Sequence, residues 1–219
     1  SGAHFSHYMI ALCRTDDLDT QNRHAGMSQM IVDLSSDGVT IRPILLMTGE
    51  HHFNEVFFDD VFIPDNRLIG LEGEGWVQSM AELAYERSGP ERFLSTYPLL
   101  NELTNFLLEK EDHEGLLVIS RLTARLWSLR NLSIGIADQL HKDVPSDISP
   151  ALVKDMGTQF EQEIAELARE YTSVIPSVQS SDRLSRLLAE SILQSPGFTL
   201  RGGTTEILRG IIAKGVFKA

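Results

Sequence analysis

Cysteine is almost missing from this chain. The single Cys13 excludes an internal disulfide and any zinc cage built on cysteines. It fits a reducing compartment, so a cytoplasmic location is expected, or the mitochondrial matrix in a eukaryote. Basic residues are scarce. Lys+Arg is 19 against 31 Asp+Glu, which leaves a net charge of −12. That is the wrong sign for a general nucleic-acid binder, whose phosphate contacts need clustered Lys and Arg. No apolar run approaches the ~20 residues needed to cross a bilayer. The N-terminus shows no initiator Met, charged leader or long apolar segment. It opens on Ser1-Gly2-Ala3-His4 and enters an apolar run at once, so the chain reads as a portion of a longer protein. What is present is ordinary for a soluble folded protein of one large domain or two small ones: 219 residues, 42% hydrophobic and 23% charged.

The first seventy residues read as strands. Short apolar runs at 8–13, 28–34, 39–44 and 54–63 are separated by a polar stretch at 14–24 and by the turn signals Ser35-Ser36-Asp37-Gly38 and Pro64-Asp65-Asn66. The period changes near Gly73. Apolar residues then fall at helical spacing over 75–108, with Gly89-Pro90 breaking or kinking the run. Further helical runs cover 116–140, 149 to about 174, 182–193 and 204–216. Pro145 and Pro150 punctuate, Ser149 is the expected N-cap of the third run, and Pro196-Gly197 closes the fourth. The fold class is α+β: a partial antiparallel β domain over residues 1–72, then an antiparallel helical bundle over 73–219.

Several residues carry candidate chemistry. Ser88 and Glu91 have the spacing of a capping box, with Pro90 in the first turn. A kink beside Gly89-Pro90 also suits a ligand site. The segment Arg201-Gly202-Gly203-Thr204-Thr205-Glu206 opens a helix with two glycines, which lets backbone N–H groups approach a phosphate, although the spacing is neither a Walker nor a Rossmann motif. A plain Thr cap explains the same residues. Adjacent His51 and His52 face opposite ways on a strand, so a metal site is not expected. No Gly-x-Ser-x-Gly elbow occurs. Trp76 and Trp127 fall on apolar stripes and are expected in the core. The charge run 109–114 reads as a solvated helix end.

Longer stretches carry more than their spacing. Residues 57–70, which include Asp59-Asp60-Val61-Phe62-Ile63-Pro64 and end at Gly70, and then Gly73-Glu74-Gly75-Trp76, resemble the acyl-CoA dehydrogenase family at the passage from its middle β domain into its C-terminal bundle. Gly202 to Ile207 with Ile211-Ile212-Ala213 resembles that family's closing motif. Ser1 to His4 resembles the piece just after its flavin-contacting Trp-Thr. The resemblance covers essentially the whole chain in order. It implies an oxidoreductase of fatty acid metabolism, a flavoprotein that uses FAD to dehydrogenate an acyl-CoA thioester between its α and β carbons. A carboxylate removes the α-proton while hydride leaves to the flavin. It further implies a homo- or hetero-oligomer, dimer or tetramer, with an electron-transfer flavoprotein as acceptor and no nucleic acid or membrane insertion.

The resemblance also assigns residues. Many members carry the base as a Glu directly before the Gly-Thr of the closing motif, where this chain has Gly202. A minority carry it in a Glu-Arg pair on the first bundle helix, which Glu91-Arg92 matches. Glu91 is therefore the expected base and Arg92 a substrate contact, and Gly203, Thr204 and Glu206 are expected beside the FAD. The Arg-x-x-Phe-Gly segment usual after the first bundle helix is replaced by Leu107 to His113. That departure keeps open a second reading, a non-catalytic partner in a heteromeric dehydrogenase.

Overall fold

A computed structural model describes residues 1–142, 144 and 147–217. The chain divides into two units, Ser1–Glu82 and Leu83–Ala219. The expected α+β class is what the structure shows. Pro145 lies outside the described residues.

The first unit is built on five strands: β1 (Tyr8–Arg14), β2 (Met27–Asp33), β3 (Val39–Leu45), β4 (His51–Phe58) and β5 (Leu68–Ile69). They form two antiparallel sheets, one in the order β1-β2-β5 and one pairing β3 with β4. Ile10 faces Ile31 in the first, and Ile41 faces Val56 in the second. The last predicted strand was placed at 54–63, but β4 runs earlier and stops at Phe58, where Asp60 takes a positive φ of 52°. Gly38 has a φ of +89°, and a Cβ there would sit 2.1 Å from the Asp59 carbonyl oxygen, so only glycine fits. On central β2, Ser28 and Gln29 are buried. Ser28 Oγ accepts the Gly73 amide at 2.9 Å, and Gln29 Nε2 donates to Ser79 Oγ at 3.0 Å. These bonds fix the turn into α1 (Gly75–Ser88), whose Trp76 stacks on His24 with centroids 3.8 Å apart.

The second unit holds the end of α1 and five helices: α2 (Tyr97–Glu109), α3 (His113–His141), α4 (Ile148–Tyr171), α5 (Arg183–Phe198) and α6 (Thr205–Phe217). Leu99, Leu103 and Leu107 of α2, Leu122 and Leu129 of α3, and Phe160 and Ile164 of α4, four or seven residues apart on each helix, form the core with Leu188 of α5. Helix α4 packs against α2, α3, α5 and α6 and is the axis of the bundle. Asp112 and Asp182 cap α3 and α5, accepting from the Gly115 amide at 2.9 Å and the Ser185 amide at 2.8 Å.

Three local expectations change. Ser149 lies inside α4, which starts at Ile148, so the cap position falls to Asp147. Helix α5 runs through Pro196 to Phe198, at the cost of the hydrogen bond that an N–H at 196 would give the Ile192 carbonyl. Trp127 is 58% exposed rather than in the core. It lines an open groove of about 390 Å³ between α2 and α3 and lies under the Arg130 guanidinium at 5.4 Å.

Candidate functional site

Sequence order keeps Glu86 and Gly202 more than a hundred residues apart, and the bundle brings them together. The run from α1 to α2 is broken where glycine and proline predicted it. Helix α1 ends at Ser88, a 3-10 turn spans Pro90–Arg92, and α2 starts at Tyr97. The Ser88–Glu91 capping box does not form. Ser88 is the last residue of α1, so its hydroxyl points back and donates to the Ala84 carbonyl at 3.1 Å.

The 3-10 turn tucks Arg92 inward. Its backbone carbonyl comes so close to α4 that a Cβ on Gly157 would lie 2.4 Å from it. The Arg92 side chain is buried, and its Nε donates to the Glu86 carbonyl oxygen at 3.0 Å while Nη2 pairs with the Glu86 carboxylate. Glu91 also approaches this guanidinium, its Oε1 at 3.8 Å from Arg92 Nε. Glu91 folds back over Gly89 and is half exposed. Two carboxylates thus lie close to one buried guanidinium.

The loop between α5 and α6 closes over this group. Gly202 and Gly203 have φ of +67° and +109°, a backbone that favours glycine. Arg87, also buried, donates from Nε to the Gly202 carbonyl at 3.0 Å. Burial pushes the Arg87 guanidinium down from its ordinary value, and Asp147 and Glu86 oppose the shift. A Cβ at Gly202 would lie 3.5 Å from Arg92 Nε, 3.6 Å from its Cζ and 3.8 Å from Glu86 Oε1. The space that any other side chain would claim therefore faces Arg92 and Glu86.

Beyond the glycines, Thr204 caps α6. Its hydroxyl accepts the Ile207 amide at 3.4 Å and its carbonyl accepts the Leu208 amide at 3.0 Å. Glu206 is exposed in the first turn. Among the described residues, the Thr204 and Glu206 amides have no hydrogen-bond partner, and Thr205 Oγ1 is a buried polar atom without one. Unsatisfied donors at a helix start suit an anionic or hydrogen-bonding ligand, so these residues fit a phosphate-bearing cofactor such as FAD.

Under the loop lies a charged layer on α4. Lys154 and Glu161 are both 0% exposed. Lys154 Nζ and Thr158 Oγ1 each donate to the Phe198 carbonyl at 3.0 Å. Glu161 accepts the Ser95 amide at 2.8 Å and pairs with Arg201, which also donates to Ser95 Oγ at 2.9 Å. Burial pushes Lys154 down to about 8; Arg201 and Arg92 add to that, while Asp155 and Glu161 oppose it.

The structure brings Glu91, Arg92 and Gly203, with Thr204 and Glu206 next along the chain, into one region with Glu86, Arg87, Lys154 and Glu161. Glu86-Arg87 is a second Glu-Arg pair five residues before the first, and the helical period alone carries α1 that far. Lys154, Thr158 and Glu161 share one helical face among apolar neighbours, a buried polar stripe that spacing could have flagged.

No protein-family model matches the chain. Curated relatives do. An acyl-CoA dehydrogenase named IpdE1 from Mycobacterium tuberculosis is 31% identical over 218 residues, covering 98% of this chain and 56% of the relative. Acyl-CoA dehydrogenase FadE29 of the same organism is 29% identical over 225 residues, covering 97% and 57%. Among solved structures, the steroid acyl-CoA dehydrogenase Tcur3481-Tcur3483 superposes with a TM-score of 0.82 at 21% identity, over 100% of this chain and 58% of that one. The ChsE4-ChsE5 complex from Mycobacterium tuberculosis gives 0.80 at 21%, over 99% and 58%. The chain spans a little over half the length of these two curated relatives. Sequence similarity along nearly all of its residues, together with the shared fold, identifies this chain as a relative of the acyl-CoA dehydrogenases.

Proposed function

We propose that the chain forms part of an FAD-dependent acyl-CoA dehydrogenase, with residues 1–72 belonging to its β domain and 73–219 to its helical bundle. The substrate is an acyl-CoA thioester, and its α-proton passes to a glutamate of the group around Arg92. The observation that carries this is the empty side-chain position at Gly202, which faces a carboxylate and a buried guanidinium. Two glutamates compete for the role. Glu91 is the one the family's Glu-Arg pair suggests. Glu86 has the stronger geometric support, since its Oε1 is the carboxylate oxygen nearest the Gly202 Cβ position, at 3.8 Å.

An α-C–H is a very weak acid, so the base needs a fixed, water-poor setting. Arg92 supplies the fixing. Its grip on both the carbonyl and the carboxylate of Glu86 holds that side chain toward Gly202. We therefore give Arg92, expected to touch substrate, the task of orienting the base. Gly203, Thr204 and Glu206 would hold the cofactor, with the free amides of Thr204 and Glu206 as donors. FAD, when bound, supplies the hydride acceptor. The active protein is an oligomer, and its reducing equivalents pass to an electron-transfer flavoprotein. Structures with this fold include the ChsE4-ChsE5 complex and the electron transferring flavoprotein of Acidaminococcus fermentans.

The test is flavin bleaching by acyl-CoA in a flavin-loaded protein containing this chain. Glu86→Gln should slow reduction at least ~10²-fold with FAD retained, as for loss of a general base. The same loss in Glu91→Gln, with Glu86→Gln near normal, transfers the role to Glu91. Near-normal reduction in both leaves the non-catalytic partner reading.

A further inference from the structure

The segment joining α5 to α6 has no regular structure, yet it is tied down along its length. At its start, the Phe198 carbonyl takes two donors from α4, Lys154 and Thr158. In its middle, Arg201 pairs with Glu161. At Gly202 the carbonyl accepts Arg87. Within it, the Gly203 amide reaches the Leu200 carbonyl at 3.3 Å and the Thr205 amide reaches the Thr199 carbonyl at 3.3 Å.

The last carbonyls of a helix lack intrahelical partners, and a lysine near them also meets the negative end of the helix dipole. An exposed lysine would do that at little desolvation cost. Here the ammonium is 0% exposed, and so is the carboxylate about two turns further along the same face of α4. Burying a charge is unfavourable unless something holds it in place. Lys154 holds the Phe198 carbonyl and Glu161 holds the Arg201 side chain, two anchors on the short segment that brings Gly202 to Arg87 and leaves the start of α6 open.

We infer that Lys154 and Glu161 are positioning residues, through which α4 sets the Phe198–Thr204 backbone in register with Arg87 and Arg92 before any ligand arrives. The catalytic importance of that register rests on the function proposed above; the tether itself rests on contacts within this chain.

Hydrogen exchange of the 219-residue chain, read peptide by peptide, tests it without flavin or substrate. Lys154→Met keeps the stem length and removes the donor. Amides of 199–205 should then exchange about tenfold faster, the scale of one lost charged hydrogen bond, while the α2 and α3 core amides stay unchanged. Lys154→Gln restores an N–H donor on a slightly shorter stem and should recover part of the protection. Arg201→Met, at the second and partly exposed tether, should give the same local signature and keeps the test decisive if the Lys154 variants do not fold. Acceleration spread evenly over the bundle, no acceleration at all, or Lys154→Gln exchanging as fast as Lys154→Met would overturn the inference. Because no cofactor takes part, such a failure leaves the dehydrogenase reading standing, and a failure of flavin bleaching leaves the tether standing.

Discussion

Removing the Glu161 charge should weaken the bundle by an amount that its contacts set. The carboxylate is 0% exposed and uses one oxygen for the Ser95 amide and the other for Arg201. Glu161→Gln retains an oxygen for Ser95 but loses the ionic partner of Arg201. Arg201 is 29% exposed in its side chain, keeps Ser95 Oγ, and lies over the Phe198 ring at 4.6 Å. It is therefore not stranded, and the loss sits below the ~3–5 kcal/mol of a fully buried broken pair. One charged hydrogen bond gives about 2 kcal/mol. Glu161→Leu also removes the acceptor of the Ser95 amide, which adds about 1 kcal/mol. Urea unfolding in a Trp76→Phe background leaves Trp127 as the reporter of the bundle. With a slope of about 2 kcal/mol per molar, Glu161→Gln should lower the midpoint by roughly 1 M, and Glu161→Leu by roughly half as much again. A shift under about 0.3 M for both, well below one charged hydrogen bond, would refute the buried-pair argument.

Other changes follow from the same layer. Gly157→Ala puts a Cβ 2.4 Å from the Arg92 carbonyl oxygen, so it should destabilise by about 1–3 kcal/mol despite the better helix propensity of alanine, and the bundle's urea midpoint reads the sign. The folded Lys154 value of about 8 is below the unfolded one, so between roughly pH 8 and 10 the unfolded chain binds more protons and stability should rise with pH. That rise, absent from Lys154→Met, shows as a difference in melting between the two proteins across the window. Thr204→Val removes the hydroxyl that caps α6 and should lower stability by about 1 kcal/mol even without flavin, which apoprotein melting measures. Asp182→Ala should remove a comparable amount at α5, seen as faster exchange of the Ser185 amide.

Sequence by itself determined the order and kind of most elements. Alternation over 39–44, the change of period near Gly73 and the break at Gly89-Pro90 each rest on local backbone geometry, so each is legible without knowing what packs where. The resemblance carried by residues 57–76 and 202–213 added the family, which the relatives bear out. Only the tertiary structure decided which charges meet. Glu86 and Glu91 are both glutamates before an arginine, and nothing local tells them apart. The 3-10 turn at Pro90–Arg92 and the close approach that Gly157 permits bring Arg92 back onto Glu86. Trp127 shows the same limit, since an apolar stripe identifies a helix face without saying how much of it a neighbour covers. Spacing can flag Lys154, Thr158 and Glu161 as a polar stripe on α4, but it does not name the Phe198 carbonyl and Arg201 as their partners. Their burial depends on contacts across 44 and 40 residues of sequence, and pairings at that range are set by packing, which no local pattern encodes.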